Sequence, residues 1–556
     1  MAQVEAPVRE ELAATQTMTG GQALVAALRG EGVETLFGLP GVQLDGAFDA
    51  LYDAQERGEL RVIHTRHEQA TAYMADGFAR TTGRVGVCLV VPGPGLLNAT
   101  AALSTAYACN SPVLCVTGQI QSDLIEFGRG LLHEIPNQLE MVRSVVKHSA
   151  RAVTPEAIPS LVHEAFRQLH TGRTRPVEIE VPPDTLFAEA EVGLLPPAPR
   201  RERFAGDPDQ LEQAARLLGE AKQPLIYAGG GIHGAEAWDE LLALAELLQA
   251  PVVVTSNGKG AISDRHPLAQ NPIAGMELFP HADAILAVGT RFVDPATARW
   301  KIEPGRTVIQ MDIDPQEIGR NYRPTLGIEA DATAGLAALA ERVGRYSGSR
   351  ASRTDELEAL KEGVAARVNA VNPQAGFALA IRTELPDEGI FVSEMTQIGY
   401  WSNIGYPVYR PRTYITPGYQ GTLGYGFPTA LGAKVGNPGV PVVSVNGDGG
   451  FGFCLNELST MARHQIGAIA VVFDDGAFGN VRRIQRDQFN GRTIASDLQN
   501  PDFVKLAEVF GVTGRRAETP EALRTQLREA IRADEPTLIH VPVGPMPNPW
   551  TTLRLR

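Results

Sequence analysis

Two short glycine-containing runs late in the chain carry the residue types that hold a metal ion and a phosphate. Asp448 lies in Asn446-Gly447-Asp448-Gly449-Gly450, directly after the apolar run 442–445. Asp475 lies in Asp474-Asp475-Gly476-Ala477-Phe478-Gly479, directly after the apolar run 468–473. Glycines let backbone N–H groups approach phosphate oxygens, and carboxylates offer hard oxygen ligands to Mg2+. Asp475 follows Asp448 by 27 positions. That is the length of a strand–helix–strand excursion, its helix expected to begin near Asn456, returning to the same edge of a parallel sheet. Open α/β sheets bind ligands at that edge. A Gly-Asp-Gly run alone is an ordinary strand-to-helix turn; the second loop at this spacing favours cofactor binding.

Two further residues could move protons. Glu68 stands in Arg66-His67-Glu68-Gln69-Ala70 at an expected helix start, followed by Ala75-Asp76-Gly77-Phe78-Ala79-Arg80. A glutamate there commonly does no more than complement the helix dipole. His133, in Leu131-Leu132-His133-Glu134, carries an imidazole that titrates near neutral pH and can donate a proton and recover it. The same histidine could equally pack or cap a turn.

These residues need rigid supports, and the chain supplies them. Short β-branched runs alternate with amphipathic stretches, the pattern of parallel sheets covered by helices. Strands are expected at 35–37, 85–91, 112–117, 177–181, 224–228, 251–255, 284–288, 308–313, 390–392, 442–445, 468–473 and 537–541, with a helix at 22–29. Pro- and charge-rich residues 194–208 and the Gly/Ser-rich stretch 344–355 read as linkers. The expected organisation is α/β, three doubly wound parallel-sheet domains. Their bounds are an N-terminal extension 1–17, a first domain 18–193, a linker 194–208, a central domain 209–345, a linker 346–372, a third domain 373–548 and a tail 549–556.

Composition narrows the functions. Acidic residues outnumber basic ones by 64 to 50, a formal charge of −14, so nothing global draws the chain to nucleic acid or an anionic membrane. No apolar run approaches the ~20 residues of a membrane span. Four cysteines without metal spacing read as buried free thiols in a reducing compartment. With no signal-peptide pattern at the N-terminus, a cytoplasmic protein is expected.

The two aspartate loops, the Arg66–Arg80 stretch, Pro417-Gly418-Tyr419-Gln420-Gly421-Thr422-Leu423-Gly424, Gly38-Leu39-Pro40-Gly41, Gly93-Pro94-Gly95 and Val116-Thr117-Gly118-Gln119 together resemble the acetolactate-synthase branch of thiamine-diphosphate enzymes. The resemblance implies aminopyrimidine-binding, central and diphosphate-binding domains, with thiamine diphosphate and Mg2+ as cofactors. It implies that Glu68 bonds the aminopyrimidine ring and favours the imino tautomer that deprotonates C2 of the thiazolium. The Gly421 carbonyl would accept from the 4′-amino group, and Leu423 would wedge between the two rings. Pro40, Gly41, Thr396, Gln397, Gly449, Gly450 and Phe478 would complete the cofactor site. Asp448, Asp475 and the backbone of Ala477 would hold the metal. In that family the cofactor lies between the first domain of one subunit and the third of another, implying a homodimer or homotetramer.

The resemblance thins at the substrate side. His133 replaces a pocket Gln, Ile484 stands where herbicide-sensitive synthases carry an aromatic residue, and Asp475 replaces the usual metal-ligand Asn. Gly229-Gly230-Gly231-Ile232-His233-Gly234 is a literal GxGxxG, but the next strand ends in Thr255-Ser256-Asn257 without the acid a dinucleotide site wants. The resemblance leaves room for FAD in the central domain, while the stretch 272–282 is shorter than the family's and lacks its Gly-Met-His-Gly segment. The expected activity is decarboxylation of a 2-oxo acid and carboligation of the resulting enamine to a second carbonyl. The alternatives are a non-ligating decarboxylase, a lyase of a 2-hydroxy-ketone or acyl-CoA, and a silent cofactor-binding relative, against which the intact Glu68 argues.

Overall fold

Strands buried on both faces need continuous apolar runs, and the chain folds into parallel sheets where it has them. The computed structural model describes residues 15–200, 202–293, 302–303 and 305–553. The first fourteen residues of the expected N-terminal extension and the last three of the tail lie outside these. Two units divide the chain, one of residues 1–79 and 84–201, the other of 80–83 and 202–556.

The first unit is built on a six-stranded sheet in the order Arg61–His64, Thr35–Gly38, Gly86–Val90, Val113–Gly118, Val177–Val181, His148–Arg151. Every neighbouring pair is parallel. The chain leaves Thr35–Gly38 towards one side and returns to Gly86–Val90 on the other, so a switch point opens between these strands. Gly38-Leu39-Pro40-Gly41 and the turn before helix Pro94–Cys109 both sit there. Gln16–Thr19 pairs antiparallel with Glu189–Val192, so Gln16 and Thr17, expected in the extension, belong to a strand.

The second unit carries two such sheets. One runs Ala269–Gln270, Val252–Val254, Pro224–Ala228, Ala284–Val288, Thr307–Asp312, Leu326–Glu329, the doubly wound order found in dinucleotide-binding folds. The other runs Tyr414–Ile415, Ile390–Ser393, Val442–Gly447, Ile469–Asp474, Thr537–Pro542, Thr513–Arg516. This last order repeats that of the first unit, and its switch point lies between Ile390–Ser393 and Val442–Gly447.

Two expectations shift. Most of the second expected linker is helix Thr354–Asn369, whose Leu357, Val364 and Val368 are buried. Trp401 Nε1 donates to the Val368 carbonyl at 2.9 Å, which ties this helix into the third domain's core. The helix expected near Asn456 begins at Asp448 itself, as the short Asp448–Phe451, followed by Leu455–Glu457 and Leu458–Arg463. Among the described residues no helix is long and apolar enough to cross a membrane.

Candidate functional site

Strand Val442–Gly447 ends in the Gly-Asp-Gly run, and helix Asp448–Phe451 starts on it. The first N–H groups of a helix have no partner within it, so this end can receive anionic oxygens. Asp448 is buried; its Oδ2 accepts from the Ala477 amide at 3.1 Å and from Asn500 Nδ2 at 2.6 Å. The same Asn500 nitrogen reaches Asp474 Oδ1 at 2.8 Å. Burial pushes the Asp448 carboxyl up to about 6, with help from the charges of Asp475 and Asp474 and against the Asn500 hydrogen bond. Burial also raises Asp475, while Arg482, 3.6 Å from its Oδ2, pulls it back. Asp474 goes the other way: hydrogen bonds from Gly476, Asn500 and His540 outweigh its burial.

Asp448, raised by burial and the neighbouring carboxylates, and Asp475, with only Arg482 beside it, form an oxygen pair whose charge a divalent cation would relieve. Among the described residues no three His, Cys, Asp or Glu side chains form a metal-holding group by themselves. A cation here would draw on backbone and phosphate oxygens as well, which fits Mg2+ with a diphosphate. Phe478 backs the loop, and a Cβ at Gly449 would stand 2.7 Å from its ring.

Across the same switch point stands Glu394, a residue the motifs did not single out. It is fully enclosed, and burial pushes its carboxyl up to about 8 against backbone hydrogen bonds from Gly424, Tyr425 and Gly426. The Gly424 amide donates to Oε1 at 2.6 Å, and among the described residues Oε2 has no side-chain or backbone hydrogen bond. A Cβ at Gly450 would fall 2.5 Å from Glu394 Oε1. One carboxyl therefore bridges the Gly449-Gly450 turn and the loop that carries Gly421 and the half-buried Leu423. Thr396 caps helix Gln397–Gly405, accepting from the Ile398 amide at 3.1 Å. The Gln397 side-chain oxygen is buried without a hydrogen-bond partner among the described residues, as a side chain waiting on a ligand would be.

In the first unit Glu68 opens helix Glu68–Thr82, and Asn98 Nδ2 donates to its Oε2 at 3.0 Å. A Cβ at Gly95 would stand 3.4 Å from Glu68 Oε1, and one at Gly93 2.2 Å from the His133 carbonyl oxygen. One turn therefore supports both residues expected to move protons. Gly93 is held in place by Gln138, which accepts from its amide at 2.9 Å and donates to Glu180 Oε2 at 2.8 Å. Pro40 and Gly41 follow strand Thr35–Gly38, and a Cβ at Gly41 would fall 2.3 Å from Val91. The Glu134 carboxylate turns back onto backbone amides, Leu131 foremost, and these hold it below its ordinary range.

The GxGxxG of the central domain is spent on packing. The amides of Gly229 and Gly231 donate to Val288 and Gly289 carbonyls, each at 3.0 Å. A Cβ at Gly231 would fall 2.6 Å from Gly289 Cα. The turn does not fit a flavin or dinucleotide phosphate through these two amides.

Sequence motifs found Asp448, Asp475 and Glu68 through their glycine and helix-start settings. They missed Asn500, Glu394 and Asn98, which reach the sites through tertiary contact. A strand-end acid was the available signal for Glu394.

Profiles of thiamine pyrophosphate enzymes match the chain in three parts: the N-terminal TPP-binding domain over 18–141, the central domain over 211–339 and the C-terminal TPP-binding domain over 394–541. A protein named probable acetolactate synthase large subunit from Methanocaldococcus jannaschii is 34% identical over 552 residues, covering 95% of this chain and 92% of its own. The acetolactate synthase isozyme 2 large subunit of Escherichia coli is 32% identical, covering 96% and 97%. A protein named probable 2-ketoarginine decarboxylase from Pseudomonas aeruginosa is 34% identical, covering 95% and 94%.

Proposed function

Because the chain belongs to the thiamine-pyrophosphate enzymes, on their acetolactate-synthase-like branch, we propose that it decarboxylates a 2-oxo acid and ligates the remaining acyl unit to a second carbonyl. The observation that carries this reading is the pair of carboxyls, the buried Asp448 and the partly buried Asp475, both raised by burial at a helix start that can take a diphosphate. Bound thiamine diphosphate supplies the electron sink that such chemistry needs.

The residues divide the work. Asp448, Asp475 and the Ala477 backbone would hold Mg2+ against the diphosphate, with Gly449 and Gly450 giving its oxygens room. Thr396, Gln397 and Phe478 would close that end. Gly421 and Leu423 would hold the ring system; in the first unit Pro40 and Gly41 would contact the cofactor and Glu68 would keep a proton on the aminopyrimidine nitrogen. Asn98 fixes the Glu68 carboxylate from its far oxygen. His133 would give a proton to the substrate oxygen and take it back. No flavin step is assigned, because Gly229 and Gly231 offer a phosphate no free amide.

A second reading, decarboxylation without ligation, is favoured by His133 in place of the pocket Gln and by the decarboxylase among the relatives. Incubation with a panel of 2-oxo acids separates the two. Carboligation yields CO2 with a 2-hydroxy-2-alkyl-3-oxo acid; simple decarboxylation yields CO2 with an aldehyde. Release of no CO2 from any of them contradicts both.

We also propose a homodimer at least. Phe127 and Leu132 stand exposed in the first unit, and Val481, Phe489 and Ile494 in the second, apolar side chains on the loops and helix that flank the two sets of site residues. Apolar side chains exposed beside a site are what a partner subunit would cover. A monomer in sedimentation at micromolar concentration would contradict it.

A further inference from the structure

Gln43 occupies a place that no motif explains. It is buried in the turn after strand Thr35–Gly38, and its amide spans two atoms of the segment that carries His133. Nε2 lies 3.0 Å from the Leu132 carbonyl oxygen, and Oε1 lies 2.9 Å from His133 Nδ1. A carbonyl oxygen only accepts, so the NH2 end must face Leu132 and the amide oxygen must face the ring. Two acceptors cannot sit at that distance, so His133 Nδ1 carries the hydrogen. A neutral imidazole has a single N–H, so Nε2 keeps its lone pair.

The backbone leaves the ring little choice of place. His133 adopts φ of 68°, in the left-handed region, with its carbonyl against Gly93. Gln43 is confined in turn, because a Cβ at Gly118 would already stand 3.3 Å from its own Cβ. The charged groups packed nearby are engaged elsewhere. Glu134 holds the Leu131 amide, and Glu180 is bound by Gln119, Gln138 and Arg151. A second histidine shows the opposite arrangement. His233 accepts from Trp238 Nε1 at Nδ1 and meets the Lys259 carbonyl at Nε2, both at 3.0 Å. Both of its nitrogens are spent, as suits a scaffold; His133 has one nitrogen spent and one kept.

Resting on the reading of His133 as the proton-moving group, we propose that Gln43 is its positioning residue, fixing the Nδ1–H tautomer so that Nε2 gives and takes the proton. This tautomer assignment makes the imidazole a base at one defined atom, which a freely turning ring would not be.

The test uses the full-length holoenzyme labelled with 15N-histidine, with the His133 signals identified by their loss in His133→Gln. The native protein should show a protonated Nδ1 and an unprotonated Nε2 at pH above the ring's titration. Gln43→Leu removes the acceptor and should yield a mixture of tautomers, with kcat lowered at least about tenfold, part of the ~10²–10⁴ such a group supplies, and KM little changed. Gln43→Met keeps the side-chain length with only a weak thioether acceptor and should lose the single tautomer in the same way; it decides the matter if Gln43→Leu does not fold. A native Nε2–H tautomer, or an unchanged tautomer in Gln43→Leu or Gln43→Met, overturns the proposal. Full turnover in His133→Gln with the tautomer as expected overturns only the catalytic reading of His133.

Discussion

Two glycine-rich turns follow parallel strands in the second unit, and they do different work. At Gly229–Gly231 the amides bond to the neighbouring strand's end, and the absent side chains let Gly289 come within packing distance. At Gly447–Gly450 a helix begins with its first amides unspent by the helix, and three carboxyl side chains, Asp448, Asp475 and Glu394, surround it. Glycine at a strand end is therefore not itself a phosphate site. What stands opposite decides whether the space is for the chain's own backbone or for a ligand.

The sharpest way to break this contrast is to remove the acid from one turn. Asp448→Ala should abolish cofactor binding by equilibrium dialysis, and excess chelator should release the cofactor from the native protein. Tight binding under either condition would make the acid turn no more than packing.

Glu394 gives the next largest effect, on stability. Its carboxyl ordinarily ionises near 4.5 but is held to about 8 in the fold, so the folded state binds more protons between those values. Stability from this group is complete below pH 4.5 and is lost as pH rises to about 8. The loss is of the order of several kcal/mol. Glu394→Gln should remove that slope and raise the melting temperature at pH 8 relative to the native chain. An unchanged slope would mean that Glu394 is ionised and paired. Smaller still, Gly231→Ala should cost about 1–3 kcal/mol through overpacking against Gly289, measured by urea unfolding, with cofactor affinity unchanged. Weakened cofactor affinity would give the central turn a ligand after all.

The sequence reading succeeded and failed along a physical line. Every expected strand lies inside a sheet, where both faces are covered and the run is apolar. Among the described residues, the six strands at the edges of the three six-stranded sheets escaped notice: Arg61–His64, His148–Arg151, Ala269–Gln270, Leu326–Glu329, Tyr414–Ile415 and Thr513–Arg516. Edges are short or carry charge, as edges must to avoid pairing with other chains, and so they lack the apolar signal. The site divides similarly. Asp448 and Glu68 stand in local motifs, whereas Asn500 meets Asp448 from 52 positions away and Gln43 meets His133 from 90. No local pattern encodes such a meeting. The linker expected at 346–372 was misread for a related reason: helix Thr354–Asn369 shows only three buried side chains, too few to stand out from a charged stretch.

The account rests most heavily on Glu68 as the acid that activates the cofactor, and exchange of the C2 proton of bound thiamine diphosphate for deuterium reads that step alone. Glu68→Gln should bind the cofactor and melt as the native protein does, because Asn98 can still hold the side chain, while C2 exchange slows by at least about 10²-fold, the scale of a lost acid–base group. Exchange at the native rate in a folded, cofactor-loaded Glu68→Gln would contradict the account.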